Sequence, residues 1–251
     1  MSRVVSWFSC GAASAVATKL ALTESPVEIV YCEVKEEHPD NKRFLKDCEE
    51  WFGQEIKILG NDKYDRSIYK VFEKRKYLAG IAGAPCTLEL KKNVRKEFER
   101  PDDIQVFGYT SEEQNRVDRF IDANNDVDIR VPLIDRGLTK ADCLAMIQDA
   151  GIELPEMYKL GYKNNNCRGC CKASSPAYWL KIKQDFPDEF QRMVKYEEAF
   201  NACITKTTVD GVADTRIKLT DIENYPHIKP MDDTPDIQCG IFCHLAEQEY
   251  L

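Results

Sequence analysis

No apolar run in this 251-residue chain approaches the ~20 residues needed to cross a bilayer. The opening stretch, MSRVVSWFSCGAAS, lacks the long apolar segment and cleavage pattern of a secretory signal, so a cytoplasmic location with no membrane partner is the expectation. An excess of basic charge is also missing. Thirty-five basic against 43 acidic side chains leave a net charge of −8, which argues against a surface held to nucleic acid by bulk charge but leaves room for a local basic patch. Repeats and low-complexity tracts are absent, and apolar residues make up 43%, which excludes a fibrous array and a disordered polyelectrolyte. Cysteine, by contrast, is plentiful, with 11 residues. In a chain without an export signal these are reduced thiols, so a close cluster reads as metal-binding or catalytic before it reads as disulfide.

The length fits one α/β domain with an appendage, or two small lobes. RVVSWFS (Arg3 to Ser9) reads as a buried strand, and Ala12 to Thr23 as a helix of small and aliphatic residues. VEIVYCEV (Val27 to Val34) is a second strand; Asn41 to Trp51 is an amphipathic helix with Phe44, Leu45, Cys48 and Trp51 on one side. Glu55 to Leu59, Asp103 to Thr110 and Val127 to Leu133 add three strand candidates. Strands alternating with helices imply parallel β-α-β units with right-handed crossovers, in which ligands sit at the carboxyl ends of the strands. Thr139 is expected to cap a helix with Asp142 completing a variant capping box and Gly151 closing it. Beyond lie a Cys-bearing loop (Asn164 to Lys172), helical runs at Pro176 to Gln184 and Pro187 to Asn201, and a turn at Asp210-Gly211. The expected division is an α/β nucleotide-binding domain, 1–151, and a Cys-rich lobe, 152–251, packed on the sheet edge.

Ser9-Cys10-Gly11-Ala12-Ala13-Ser14 joins the first strand to the first helix. Small residues let the backbone approach an anion closely, and a helix start presents unpaired N–H groups with partial positive charge. The same turn would also serve simply to pack helix on sheet. It is neither a Walker A sequence nor a dinucleotide G-x-G-x-x-G.

SWFSCGAASAVATKL resembles the modified phosphate loop of the adenine-nucleotide alpha-hydrolase-like (PP-loop ATP pyrophosphatase) superfamily, which includes the phosphoadenylylsulfate (PAPS) reductases, ATP sulfurylase small subunits and sulfur transferases. Further likenesses follow in order. Pro85-Cys86-Thr87 with Leu90-Lys91-Lys92 is similar to the family's Cys-x-x-x-Lys segment. Gly108-Tyr109-Thr110-Ser111-Glu112-Glu113 with Arg116 and Arg119 is similar to its stretch after the fourth strand, and Gln238-Cys239-Gly240 to its Cys-bearing tail. LPEMYKLGYKNNNCRGCCKASSPAYWLKIKQDFPDEFQRM resembles reductase-like proteins common in bacteria and phages. The resemblance implies a Rossmann-like, five-stranded parallel sheet flanked by helices, with a smaller, mainly helical Cys-rich lobe.

It also implies an enzyme of sulfur chemistry that reduces an adenylyl sulfate with a thiol, an oxidoreductase with Cys239 as nucleophile and Lys91 and Arg116 stabilising departing negative charge. Ser9 to Ser14, Gly108 and Arg119 would hold the adenine nucleotide. A thiol reductant or a sulfur-donor protein would be the partner. Where the family's ATP-hydrolysing members carry Ser-Gly-Gly-x-Asp-Ser, this chain has Cys10 at the second place and Ala13 at the Asp place. That departure weighs against an ATP-driven sulfur transferase acting on a nucleic-acid base. It also motivates a third alternative, a metal-containing nucleotide binder without turnover.

Cys167, Cys170 and Cys171 form C-x-x-C-C, and Cys239 and Cys243 form C-x-x-x-C. Two chelating pairs suit one tetrahedral zinc or a [4Fe-4S] cluster, and spacing does not choose between them. Cys86 with Cys167, Cys170 and Cys171 is a second complete set. Cys32, Cys48, Cys143 and Cys203 read as small apolar side chains on strands and helices. His244 is a possible ligand or a surface residue; His38 and His227 have no motif around them.

Lys91, Lys92, Arg95 and Lys96 form a basic run that is either a solvated helix face or an anion site beside Cys86. Arg116 and Arg119 share a helical face suited to a phosphate or sulfonate, with Glu112 and Glu113 as alternative partners. The segment Glu33 to Asn41 sits where relatives read adenine or ribose, with Asp40 as a possible helix cap. Tyr158, Tyr162, Tyr178 and Trp179 would either stack on a base or fill a core.

Overall fold

The computed structural model describes residues 2–79, 83–165, 167–169 and 175–232. Five strands, β1 (Val4–Phe8), β2 (Glu28–Cys32), β3 (Lys57–Leu59), β4 (Ile104–Val106) and β5 (Asp128–Arg130), form one sheet in the order β3-β2-β1-β4-β5. Every neighbouring pair is parallel, with Ser6 on central β1 opposite Ile29 of β2 and Val106 of β4. This is a Rossmann-like α/β fold, as the alternation of strands and helices leads one to expect. All five strands fall inside the segments that the sequence marks, but the last two are shorter. β4 stops before Gly108 reaches the first helix, and β5 ends at Arg130, after which Val131 caps a helical turn opened by Pro132.

The crossovers are α1 (Ala12–Glu24), α2 (Asn41–Phe52), α3 (Ile68–Arg75) and a continuous irregular helix: α4 (Pro85–Thr87), a π-helical segment (Leu88–Lys92) and α5 (Asn93–Phe98). After β4 come α6 (Gln114–Ala123), then α7 (Pro132–Asp135) and α8 (Lys140–Asp149) beyond β5. The rest comprises α9 (Glu156–Lys159), α10 (Pro176–Asp185), α11 (Pro187–Ala199) and a hairpin of β6 (Thr205–Val209) and β7 (Val212–Ile217). Thr139 and Asp142 close the expected capping box on α8, whereas its C-cap is Ala150 and Gly151 lies one residue further on. The turn at Asp210-Gly211 has φ of 49° and 82°, the left-handed pair that a two-residue hairpin turn needs.

Two hydrophobic cores stand side by side. The first lies between the sheet and α1, α2 and α8, with Phe8, Val16, Leu20, Phe44 and Leu144 all at most 2% exposed. Burial of each such side chain contributes about 1.5–3 kcal/mol. The second centres on Trp179, fully buried among Phe72, Leu90, Met193 and Ile222. Its members come from Val34 to Leu90 as well as from Met157 to Ile222, so the chain on both sides of residue 151 builds it. Among the described residues no helix is long and apolar enough to cross a membrane.

Candidate functional site at the carboxyl ends of the strands

With β1 central and its neighbours β2 and β4 reached by crossovers in opposite directions, the crevice of this fold opens at the carboxyl ends of β1 and β4. The turn from Ser9 to Ser14 lies there. Cys10 adopts φ 55°, a left-handed conformation rare outside glycine, and Gly11 is the extended N-cap of α1. The Ser14 hydroxyl ties the turn together: its oxygen accepts from Ser9 N and Ser9 Oγ, each at 3.0 Å, and it donates to Gly11 O at 2.9 Å. The Tyr158 hydroxyl covers the first amide of the helix, accepting from Ala12 N at 3.3 Å and from Lys140 Nζ at 3.0 Å. The next amides, of Ala13 and Ser14, have no protein acceptor among the described residues. Ser9 is exposed and Gly11 and Ala13 are half-buried, whereas Ser14 is 6% exposed, so Ala13 is the outward member of this pair.

Gly108 supports the turn rather than facing it as a donor. A Cβ there would lie 2.6 Å from Ser14 Cα and 2.7 Å from Ser14 N, both backbone atoms that cannot give way. The end of β4 therefore packs directly on the start of α1, and only a residue without a side chain permits it.

A charged network fills the space after β2. Glu37, buried, accepts from Tyr31 OH at 2.6 Å, Asn41 Nδ2 at 3.0 Å and Lys91 Nζ at 2.9 Å. Burial pulls the Lys91 ammonium down, but the Glu37 carboxylate outweighs it, with Cys167 and Cys32 adding to the pull, and the group is held above its ordinary value. Lys91 thus stays charged within electrostatic reach of two cysteines. Burial pushes the Cys32 thiol up to about 11, against the effect of Lys91. Cys10 is driven well above its usual value, first by burial and then by Glu37, so it remains a neutral thiol that packs rather than reacts.

The Cys-bearing loop docks against both the turn and the loop after β2. Asn165 Nδ2 donates to Cys10 O at 2.5 Å and to Asn41 Oδ1 at 2.8 Å, and Arg168 N donates to Glu36 O at 3.0 Å. Glu36 in turn receives Ser67 Oγ and Ile68 N at the start of α3. Asn165 is 7% exposed and its Oδ1 has no partner among the described residues. Asp40 does not cap α2 with its side chain, which corrects the sequence expectation. Its carboxylate instead grips Arg43 at 2.7 and 2.8 Å and accepts from Glu156 N at 2.9 Å, joining the start of α2 to that of α9.

The remaining candidates divide clearly. Arg116 pairs with Glu113 and stacks over Tyr109 with its guanidinium 5.1 Å from the ring centre, while Arg119 Nε donates to Asn115 O at 2.9 Å. Both are exposed on α6, and no contact with Ser9 to Ser14 is found for either among the described residues. Glu112 binds Lys140 N instead of an arginine. Cys48 and Cys143 are fully buried core, while Cys32 and Cys203 are partly exposed. Tyr158, Tyr162, Tyr178 and Trp179 are all core, at most 6% exposed.

Cys86 and Cys167 both lie partly buried against the second core. Cys170, Cys171, Cys239, Cys243 and His244 lie outside the described residues, and among the described residues no three His, Cys, Asp or Glu side chains converge to hold a metal. Lys140, Glu37 and Asn165 went unmarked by the sequence. Lys140 was readable in principle, as the first helical residue after a capping Thr at the carboxyl side of β5.

The sequence matches no protein-family model and no curated protein.

Proposed function

We propose that the protein is a nucleotide-dependent enzyme of sulfur chemistry, of the PAPS-reductase type, with the nucleotide lying across the carboxyl ends of β1 and β4. The supporting observation is the pair of Ala13 and Ser14 amides without an acceptor among the described residues, near the Lys140 ammonium, at the crevice of a parallel sheet. Two amides and a lysine suit a phosphate or sulfonate. Ala13 supplies no carboxylate there, which favours sulfonate chemistry over the metal-assisted splitting of ATP.

In this reading a thiolate, that of Cys239, attacks the sulfonate sulfur of an adenylyl sulfate. The sulfur–oxygen bond to the phosphate breaks, and the nucleotide leaves with the electron pair. A second thiol then attacks the bridging cysteine sulfur, releasing sulfite and leaving a disulfide, so the thiols supply the two electrons. Lys140 and the turn amides bind the leaving phosphate, and Lys91, kept charged by Glu37, places positive charge beside the Cys167 loop. Cys86 and Cys167 are soft donors suited to zinc or an iron–sulfur cluster, which would take Cys170 and Cys171 as its other two thiolates and leave Cys239 free to react. Such a group would staple the loop and tune its thiolates.

Anaerobically purified protein, incubated with the phosphosulfate and a thiol reductant, should release sulfite. Formation of AMP and pyrophosphate from ATP instead would assign it to the ATP-driven transferases. Tight nucleotide binding with no product from either substrate, the metal content being stoichiometric, would overturn both enzymatic readings.

A further inference from the structure

Charge is distributed very unevenly in this acidic chain. Between Lys63 and Lys96 there are ten basic and three acidic side chains, a surplus of seven, so the remainder carries fifteen excess negative charges. Five of the ten are neutralised: Arg66 by Glu33 and Asp62, Lys70 by Glu73, Arg75 by Glu89, Lys91 by Glu37 and Arg95 by Glu99. Lys63, Lys74, Lys76, Lys92 and Lys96 are exposed and make no direct ion pair among the described residues, Lys63 and Lys76 lying only within electrostatic reach of Glu89 and Glu73.

Lys63 and Lys74 share one surface, and Lys92 and Lys96 lie on the helix packed against it. Lys63 and Lys74 lie on the Tyr64 ring, their ammonium groups 5.3 and 5.0 Å from its centre, and Lys74 Nζ donates to Lys63 O at 2.6 Å. Arg75 pairs with Glu89, and Asn61 Nδ2 donates to Glu89 O at 2.8 Å, which sets the π-helical segment against the loop after β3. Lys92 and Lys96, four apart, continue along that helix. Lys76 closes the end of α3 beside Tyr77, which is 36% exposed. The surface starts after the carboxyl end of β3, the edge of the sheet at which the turn from Ser9 to Ser14 also lies.

We propose that this face of α3 and the helix from Leu88 to Phe98 binds a single-stranded nucleic acid, the lysines following the phosphates and Tyr77 stacking on a base. Clustered, unneutralised lysines with an exposed aromatic among them are the combination that such strands require, and stacking makes binding tolerant of sequence. The mutual repulsion of these lysines is only partly relieved, Glu73 and Glu89 being already paired with Lys70 and Arg75. The proposal stands apart from the nucleotide reading, because none of its residues belongs to the turn or to the Glu37 network.

The test is fluorescence anisotropy with labelled single-stranded DNA and RNA oligonucleotides. Five phosphate contacts predict an affinity that falls roughly 100-fold between about 50 and 200 mM salt. The Lys63→Gln/Lys74→Gln/Lys76→Gln variant should bind at least about tenfold more weakly at low salt, with the slope of log affinity against log salt reduced by roughly 2. Its circular dichroism, and any binding of free adenine nucleotide, should match the wild type. No binding of either oligonucleotide by wild-type protein at about 50 mM salt would overturn the inference. So would equal binding by the triple variant, or capture by phosphatidylserine vesicles with none by oligonucleotides.

Discussion

The two ends of the parallel sheet carry charged networks of opposite character. At the amino end, Arg3 donates to Asp103 at 2.8 and 2.5 Å, to Glu28 at 2.9 Å and to Phe98 O at 3.2 Å, while lying 4.6 Å above the Phe98 ring. Glu28 also receives Lys57. A groove of about 750 Å³ opens beside them, where Arg3, Glu28 and Lys57 are committed to one another and Gln54 to the Val27 carbonyl, and only the neutral Ser25 hydroxyl among the described lining side chains is buried without a partner. At the carboxyl end, Glu37 and Lys91 are paired as well, but the Ala13 and Ser14 amides and the buried Asn165 oxygen have no partner among the described residues. One network has used up its valences in holding strands together. The other keeps some in reserve, and a ligand belongs where donors remain unspent.

Substitution can break this contrast in several places. The largest effect is expected from Gly108→Val, which drives a side chain into the backbone of α1 and should cost at least about 3 kcal/mol in urea denaturation. Arg3→Met leaves the Asp103 carboxylate buried without its main partner and should cost about 3 kcal/mol, while any nucleotide affinity of the native protein stays intact. A loss of affinity without a loss of stability would reverse the assignment of the two ends.

Acid sharpens the same point. The Arg3 hydrogen bond holds the Asp103 carboxyl below its ordinary value. A depressed folded-state value stabilises fully above the unfolded carboxyl's value of about 3.9 and is lost as pH falls through the folded one. In Asp103→Asn the acid limb of the stability curve below about pH 4 should therefore flatten.

Glu37→Gln removes the partner of a half-exposed lysine and should cost about 2 kcal/mol, measured by thermal unfolding, less than a fully buried pair would. The smallest change in stability is expected for Lys140→Met, near zero by the same measurement. Its affinity for an adenylyl sulfate, followed by calorimetry, should nevertheless drop about tenfold, the equivalent of roughly 1.4 kcal/mol.

Much of the fold was legible in the chain. Strands β1 to β5 announce themselves through β-branched and aromatic runs, and the helix after Thr139 through a capping box that the structure reproduces. Helix α3 was missed because IYKVFEKR is short and sits between turns, and its apolar face is recognisable only once the second core exists to receive it. The hairpin was read as a turn alone, since β6 and β7 are polar on most positions and lack the alternation of a half-buried strand. The turn from Ser9 to Ser14 was marked because small residues between strand and helix suit either an anion or close packing, and the close packing is what Gly108 displays. Lys140, Asn165 and Glu37 were not, because each reaches its place through tertiary contacts across long stretches of chain: Asn165 meets Cys10, and Glu37 meets Lys91.

The bond from Asn165 to the Cys10 carbonyl carries a final consequence. A single side-chain amide fixes the gauge between two loops more than a hundred and fifty residues apart in sequence, and the left-handed kink at Cys10 is what turns that carbonyl toward it. The spacing of the two loops is thus machined into the backbone, and a change as small as Asn165→Asp, which swaps a donor for an acceptor facing an oxygen, would push them out of gauge.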